Sequence, residues 1–237
     1  MVFQYIFKRV EKKYMLNADQ YDAIINGIFK HMSIDKYGET TICNIYFDSS
    51  DNKLINLSID KPIYKEKLRL RSYGEPKSED DTVFFEIKKK YKGTVYKRRI
   101  PLSLKQARSY IETGEFPTDI NSQIAKEIDY MVKFWDIRPK IFLAYERTAW
   151  RSTEDPGLRI TFDKNIRYRY ENVSFENGTN GTLVIPPNTY VMEIKIPNAT
   201  PLWLSALLSN NNIFSHSFSK YGTAYINSVL KGDNNHV

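Results

Sequence analysis

In Lys67-Leu68-Arg69-Leu70-Arg71, three cations stand two residues apart with leucines between them. Successive side chains of an extended chain point to opposite faces, so the cations share one face and the leucines the other. The pattern recurs. Glu86 falls with Lys88 against Phe85 and Ile87, Lys97 falls with Arg99, and Arg159 with Thr161 opposes Leu158, Ile160 and Phe162. Glu193 and Lys195 oppose Met192, Ile194 and Ile196, and Arg9, Glu11 and Lys13 share a face near the start of the chain. One such strand alone reads as the solvated face of an ordinary antiparallel sheet. Six strands biased toward cations ask for more, because a solvated face mixes in Ser, Thr and Gln. If amphipathic helices cover the apolar faces, the charged faces turn inward. Cations packed in a low-dielectric enclosure require counter-charge. A linear run of phosphates supplies it, and arginine forks match phosphate oxygens.

The carboxylates among these cations have two possible tasks. A Mg²⁺ or Mn²⁺ ion on bound phosphates takes one or two protein carboxylates and keeps several waters. Glu193 is the preferred ligand; Glu11 and Glu86 either join it or neutralise neighbouring Lys and Arg. Phosphoryl transfer rests on positioning and on cancelling charge, so the lack of an evident general base is no objection. Tyr73, beside Gly74, is placed to stack on a nucleobase at an entrance.

Eight period-2 stretches rich in β-branched and aromatic residues predict strands at 5–14, 40–48, 64–73, 82–91, 94–100, 140–152, 158–163 and 189–196, with a shorter candidate at 167–170. Helices are predicted from the Asn17 cap to about Met32, over 103–113 ending at Gly114, over 121–136, over 202–208 after Thr200-Pro201, and over 219–230. The expected fold is α+β: an eight-stranded antiparallel β-barrel tunnel with a charged interior, flanked by helices. A single domain over 1–237 is expected, with 1–4 and 232–237 frayed.

The formal charge of +7 favours a polyanionic partner, yet 28 acidic residues interleave with the 35 basic ones, so placement matters more than the sum. Lys88-Lys89-Lys90 is split between two faces by alternation, and no nucleic-acid partner is expected. Cys43 is the only cysteine and reads as a buried structural thiol, which leaves no intramolecular disulfide or multi-Cys zinc site. No apolar run reaches the length of a membrane span, and a secretory signal is not evident, so a cytoplasmic protein is expected. Trp150 reads as a packing residue or as the frame of a tunnel mouth.

The ordered set Arg9-x-Glu11-x-Lys13, Tyr46-Phe47-Asp48, Leu68-Arg69-Leu70-Arg71-Ser72-Tyr73-Gly74, Phe85-Glu86-Ile87-Lys88, Tyr145-Glu146-Arg147-Thr148-Ala149, Leu158-Arg159-Ile160-Thr161, Met192-Glu193-Ile194-Lys195 and Phe218-Ser219-Lys220-Tyr221 resembles the VTC domain. That family comprises polyphosphate polymerases within the triphosphate tunnel metalloenzymes. The resemblance runs in order from about Phe7 to Leu230. It implies a tunnel in which the γ-phosphate of ATP is added to a growing polyphosphate chain and ADP is released. The implied phosphate contacts are Lys13, Arg69, Arg71, Lys88, Lys97, Arg147, Arg159 and Lys220, with Lys195 a weaker member, and Glu193 is the implied metal ligand. Hydrolytic tunnel enzymes open with Glu-x-Glu-x-Lys. Here Arg9 takes the first of those positions, which points to polymerase over triphosphatase. The alternatives are a triphosphatase or tripolyphosphatase, and a non-catalytic polyphosphate-binding barrel.

Overall fold

A computed structural model describes residues 10–60, 62–92, 94–197, 199–230 and 232. Arg9 and the two expected frayed ends, Gly232 apart, lie outside the described residues. The elements run β1 (Val10–Leu16), α1 (Ala18–Ile28), β2 (Met32–Asp48), α2 (Lys53–Ile59), β3 (Tyr64–Tyr73), β4 (Thr82–Tyr91), β5 (Thr94–Ser103), α3 (Leu104–Thr113), α4 (Gln123–Trp135), β6 (Arg138–Ser152), β7 (Arg159–Arg169), β8 (Thr182–Leu183), β9 (Tyr190–Ile196), α5 (Leu202–Asn210) and α6 (Lys220–Leu230). No helix among the described residues is long and apolar enough to cross a membrane.

The strands pair in the order β1-β9-β7-β6-β2-β3-β4-β5, with β8 attached to β7. This corrects the expected eight-stranded barrel. Among the described residues there are nine strands, and the pairing is an open path from β1 to β5. The ninth is the two-residue β8, whose Thr182 and Leu183 pair with Tyr168 and Arg167, in a stretch for which no strand is predicted. The separate strand expected at 167–170 belongs to β7. Asn165 sits in the left-handed region at φ 49°, a conformation Asn tolerates, and breaks the alternation that would have marked one continuous strand.

The chain divides into two compact units, interleaved in sequence. Unit 1 comprises residues up to Thr40, Glu146–Ile166 and Ile185–Phe218; unit 2 comprises Thr41–Tyr145, Arg167–Val184 and the segment from Ser219.

Unit 1 buries Tyr14 and Leu16 of β1, Ile160 and Phe162 of β7, and Met192, Ile194 and Ile196 of β9 against Ile24 and Ile28 of α1 and Leu204 and Leu208 of α5. These are the apolar faces read from alternation, and the helices cover them. The Asn17 side chain accepts from the Gln20 backbone N–H while Gln20 reaches back to the Asn17 N–H, a reciprocal cap that fixes where α1 begins. Gly27 lets α1 approach α5 closely: a Cβ there would lie 2.5 Å from Leu207 Cδ1, so that leucine tip would have to move. Trp150 is buried in this core and packs rather than framing an opening.

Unit 2 is built the same way. Leu68 and Leu70 of β3, Phe85 and Ile87 of β4, and Ile100 and Leu102 of β5 pack under Ala107 and Tyr110 of α3 and Ile128 and Met131 of α4. Cys43 is buried in this core, as read from its apolar strand. Ser103 opens α3 with a capping box and Gly114 closes it at φ 75°, the stop expected of glycine. The short α2 has no counterpart in the sequence reading. Its first turn is held from a distance: Asp48 accepts from the backbone N–H groups of Ser49, Leu54 and Ile55, and burial pushes its carboxyl above the usual range.

Candidate functional site

In unit 2 the face turned away from the helices carries Arg69, Arg71, Lys88 and Lys97 together with Glu86. Cross-strand register produces the grouping: Arg69 pairs with Glu86 and Tyr46, Arg71 with Asn44, and Lys88 with both Lys67 and Lys97. Glu86 is 1% exposed and is the hub. Its Oε2 accepts from Arg69 Nε at 2.8 Å and Nη2 at 2.6 Å, its Oε1 lies 2.8 Å from Lys97 Nζ, and Arg71 Nε stands 3.9 Å away. Burial works against its charge, but Arg69, Arg71 and Lys97 outweigh that and hold the carboxyl down at about 2. Burial and the neighbouring arginines bring Lys97 down to about 8 in spite of Glu86. Both oxygens of Glu86 are thus engaged by side-chain cations, the arrangement of an internal counter-ion.

Three aromatic hydroxyls and an amide complete this face, and the sequence reading assigned none of them a role. Arg69 Nη1 donates to the Tyr46 hydroxyl at 3.0 Å. Arg71 Nε donates to Asn44 Oδ1 at 2.9 Å and its Nη2 to the Tyr145 hydroxyl at 3.0 Å. Burial raises Tyr46, yet Arg69, Arg71 and Lys67 overcome it and bring the phenol down to about 7. Tyr221 donates to Asp48 Oδ2 at 2.8 Å, with its ring 5.2 Å from that of Tyr46. Lys220, the first residue of α6, holds its ammonium 4.5 Å from the centre of the Tyr145 ring. The helix start is fixed by Ser219, whose hydroxyl accepts from the Gly222 N–H. The strand over 40–48 was legible; which arginine Asn44 and Tyr46 would each meet depends on register.

Unit 1 gathers Lys13, Arg147, Arg159 and Lys195 with Glu11 and Glu193. Lys13 and Glu193 are cross-strand partners, as are Glu11 and Lys195. The Lys13 ammonium is 3.0 Å from Glu11 and 4.0 Å from Glu193, while Lys195 is 2.8 Å from Glu193. Burial opposes the Glu193 charge, but Lys195, Lys13 and Arg147 hold its carboxyl at about 2. Arg147 makes a two-pronged pair with buried Asp163, Nε to Oδ1 at 2.5 Å and Nη2 to Oδ2 at 2.7 Å. Arg159 lies 3.8 Å from Asp35, which also accepts from Arg151 Nε at 3.1 Å. Asp163 escaped the sequence reading although it continues the Arg159-Thr161 face by one more step of two. Asp35 could not have been found, because β2 runs eight residues further toward the N-terminus than the predicted 40–48.

Among the described residues no three His, Cys, Asp or Glu side chains gather into a metal cluster. A phosphate-bound Mg²⁺ or Mn²⁺ uses one or two protein carboxylates, and Glu193 and Glu11 are the carboxylates of this face that could hold one. Thr161, cross-strand from Glu193, keeps a buried hydroxyl oxygen without a hydrogen-bond partner, the kind of vacancy that a phosphate or a metal-bound water fills. The residues fit such an ion.

Helix-backed antiparallel strands with ionic faces built on buried carboxylates define the class of domain. The sequence pattern of the VTC domain matches residues 8–228, and the chain belongs to that family. It is 24% identical over 270 residues to the Vacuolar transporter chaperone complex subunit 4 of Trypanosoma cruzi, a match covering 91% of this chain and 33% of that protein. The subunit 4 of Schizosaccharomyces pombe is also 24% identical, over 73% of this chain and 28% of its own length. The chain therefore spans about a third of the curated relatives it matches. Among solved structures, a Bacillus halodurans protein described as a candidate adenylate cyclase superposes with a TM-score of 0.55 at 15% identity, over 89% of this chain and 93% of that one. A like-described protein from Vibrio parahaemolyticus gives 0.50 at 14% identity, over 94% and 99%. These two share the fold.

Proposed function

We propose that this chain is a polyphosphate polymerase that transfers the γ-phosphate of ATP to a growing polyphosphate chain, using its basic sheet faces and a divalent metal ion. The observation that carries the reading is Glu86: one buried carboxylate answers Arg69, Lys97 and Arg71, so cations outnumber carboxylates on this face, a surplus that suits a bound polyanion. Arg69, Arg71, Lys88, Lys97 and Lys220 of unit 2, and Lys13, Arg147 and Arg159 of unit 1, are the proposed phosphate contacts, with Lys195 secondary. Glu193 and Glu11 are the proposed metal ligands, and Glu86 is assigned as counter-ion instead. A bound Mg²⁺ or Mn²⁺ would neutralise charge on the transferred phosphoryl group. The cations hold the donor phosphates and the chain terminus in line; a terminal chain oxygen attacks Pγ, the bond from Pγ to the β–γ bridging oxygen breaks, and ADP leaves.

Incubation of the purified protein with ATP and Mn²⁺, followed by separation of the products, tests this. Long-chain polyphosphate with matching ADP is expected. Orthophosphate without polymer makes the chain a triphosphatase, and tight polyphosphate binding without turnover makes it a non-catalytic polyphosphate-binding domain.

A further inference from the structure

We propose that Tyr73 and Phe84 form the ledge on which the nucleobase of the nucleotide stacks, a placement that rests on the phosphotransfer reading above. The face of unit 2 turned away from the helices is ionic at the rungs holding Lys67, Lys88 and Lys97 and then Arg69, Glu86 and Arg99. One rung further its character changes. Arg71 faces Phe84 across the strands, Phe84 faces Pro101, and Tyr73 follows Arg71 by two residues on the same face.

The two rings meet edge to face, with centroids 5.7 Å apart at 77°. The Arg99 guanidinium lies 4.8 Å from the centre of the Phe84 ring, and that of Arg71 lies 5.9 Å from the Tyr73 ring. Arg71 is the hinge between the two chemistries. Asn44 and Tyr145 fix its plane, so one residue closes the phosphate-binding row and opens the aromatic ledge. Tyr73 is 49% exposed, a large ring left open beside a charged row.

Its backbone is pinned rather than loose. Gly74 turns the chain out of β3 at φ 88°, its N–H donates to Thr41 O at 2.7 Å, and the Ser72 hydroxyl donates to Gly74 O at 2.7 Å. Two residues of antiparallel strand advance about 7 Å, the reach of one sugar between a phosphate and its base. A polyphosphate chain has no π-face and gains nothing from such a ledge. A nucleotide gains a stacking surface that takes any base, so ATP and GTP should bind alike.

Titration calorimetry with ATP and with inorganic tripolyphosphate separates the base from the phosphates. Tyr73→Ala is expected to weaken ATP binding about tenfold, as for loss of one base–aromatic stack, and to leave tripolyphosphate within about twofold. Unchanged tripolyphosphate binding also reports that the variant is folded. Tyr73→Trp is expected to restore ATP affinity. Unaltered ATP binding in Tyr73→Ala, or equal weakening of both ligands, overturns the ledge and leaves the polymerase reading standing. A wild-type protein that binds neither ligand removes the phosphate reading, and the ledge with it.

Discussion

The two units solve the same packing problem and arrive at different charge balances. Both place apolar alternate residues under helices and ionic residues on the opposite face. In unit 2 a single carboxylate, Glu86, answers Arg69, Arg71 and Lys97. In unit 1 acids and bases are nearly matched: Glu11 and Glu193 with Lys13 and Lys195, Asp163 with Arg147, and Asp35 with Arg151 and Arg159. A surplus of cations attracts phosphate, whereas matched carboxylates offer ligands to a dication. This difference is the ground for the proposal that unit 2 grips phosphate and unit 1 holds the metal ion, with Glu86 and Glu193 in opposite proposed roles although cations hold both carboxyls at about 2.

Exchanging those two carboxylates for amides is the sharpest way to break the contrast. Glu193→Gln is expected to abolish turnover while ATP and tripolyphosphate binding stay within a few-fold; full activity in this variant, followed by ADP release, would remove it as metal ligand. Glu86→Gln is expected to leave Arg69, Arg71 and Lys97 without their counter-charge and to cost about 3 kcal/mol in urea unfolding, recovered when tripolyphosphate is added. Unchanged stability with lost activity would make Glu86 a metal ligand after all.

Arg69→Ala removes a guanidinium that holds Glu86 and Tyr46 together, and is expected to raise the ATP requirement about thirtyfold. An unchanged requirement would take Arg69 out of the binding row. The smallest effect is on pH dependence. Tyr46 sits at about 7, so raising the pH creates a phenolate beside Arg69 that opposes an anionic ligand, and Lys97 loses its proton at about 8. Polyphosphate affinity should therefore fall from about pH 7 upward in the wild type. In Tyr46→Phe the fall should begin only near pH 8, by a few-fold, and identical profiles would show that Tyr46 does not titrate there.

Much of this was legible from alternation alone. The spans 64–73 and 82–91 coincide with β3 and β4 because Leu68, Leu70, Phe85 and Ile87 give an unbroken period of two. Asn17, Ser103 and Gly114 mark helix ends through local hydrogen bonding that a sequence records directly. Register is not recorded. Nothing in the one-dimensional pattern says that Glu86 lies opposite Arg69, or that Thr161 lies opposite Glu193, and the proposed contrast between counter-ion and metal ligand is argued from those pairings. The helix α2 was hidden because it has only seven residues and takes its capping group from Asp48, outside the segment. The extended β2 was hidden by Gly38 at φ 58° among polar residues.

The central claim is that the cation surplus around Glu86 exists to hold phosphate. Titrating the wild-type protein with long-chain polyphosphate at a series of salt concentrations tests it most directly, because each cation that replaces a condensed counter-ion steepens the dependence. The account predicts tight binding whose logarithm falls by at least about three per decade of salt, one for each of Arg69, Arg71 and Lys97, and less in Arg69→Ala. Weak binding with a flat salt dependence would contradict it.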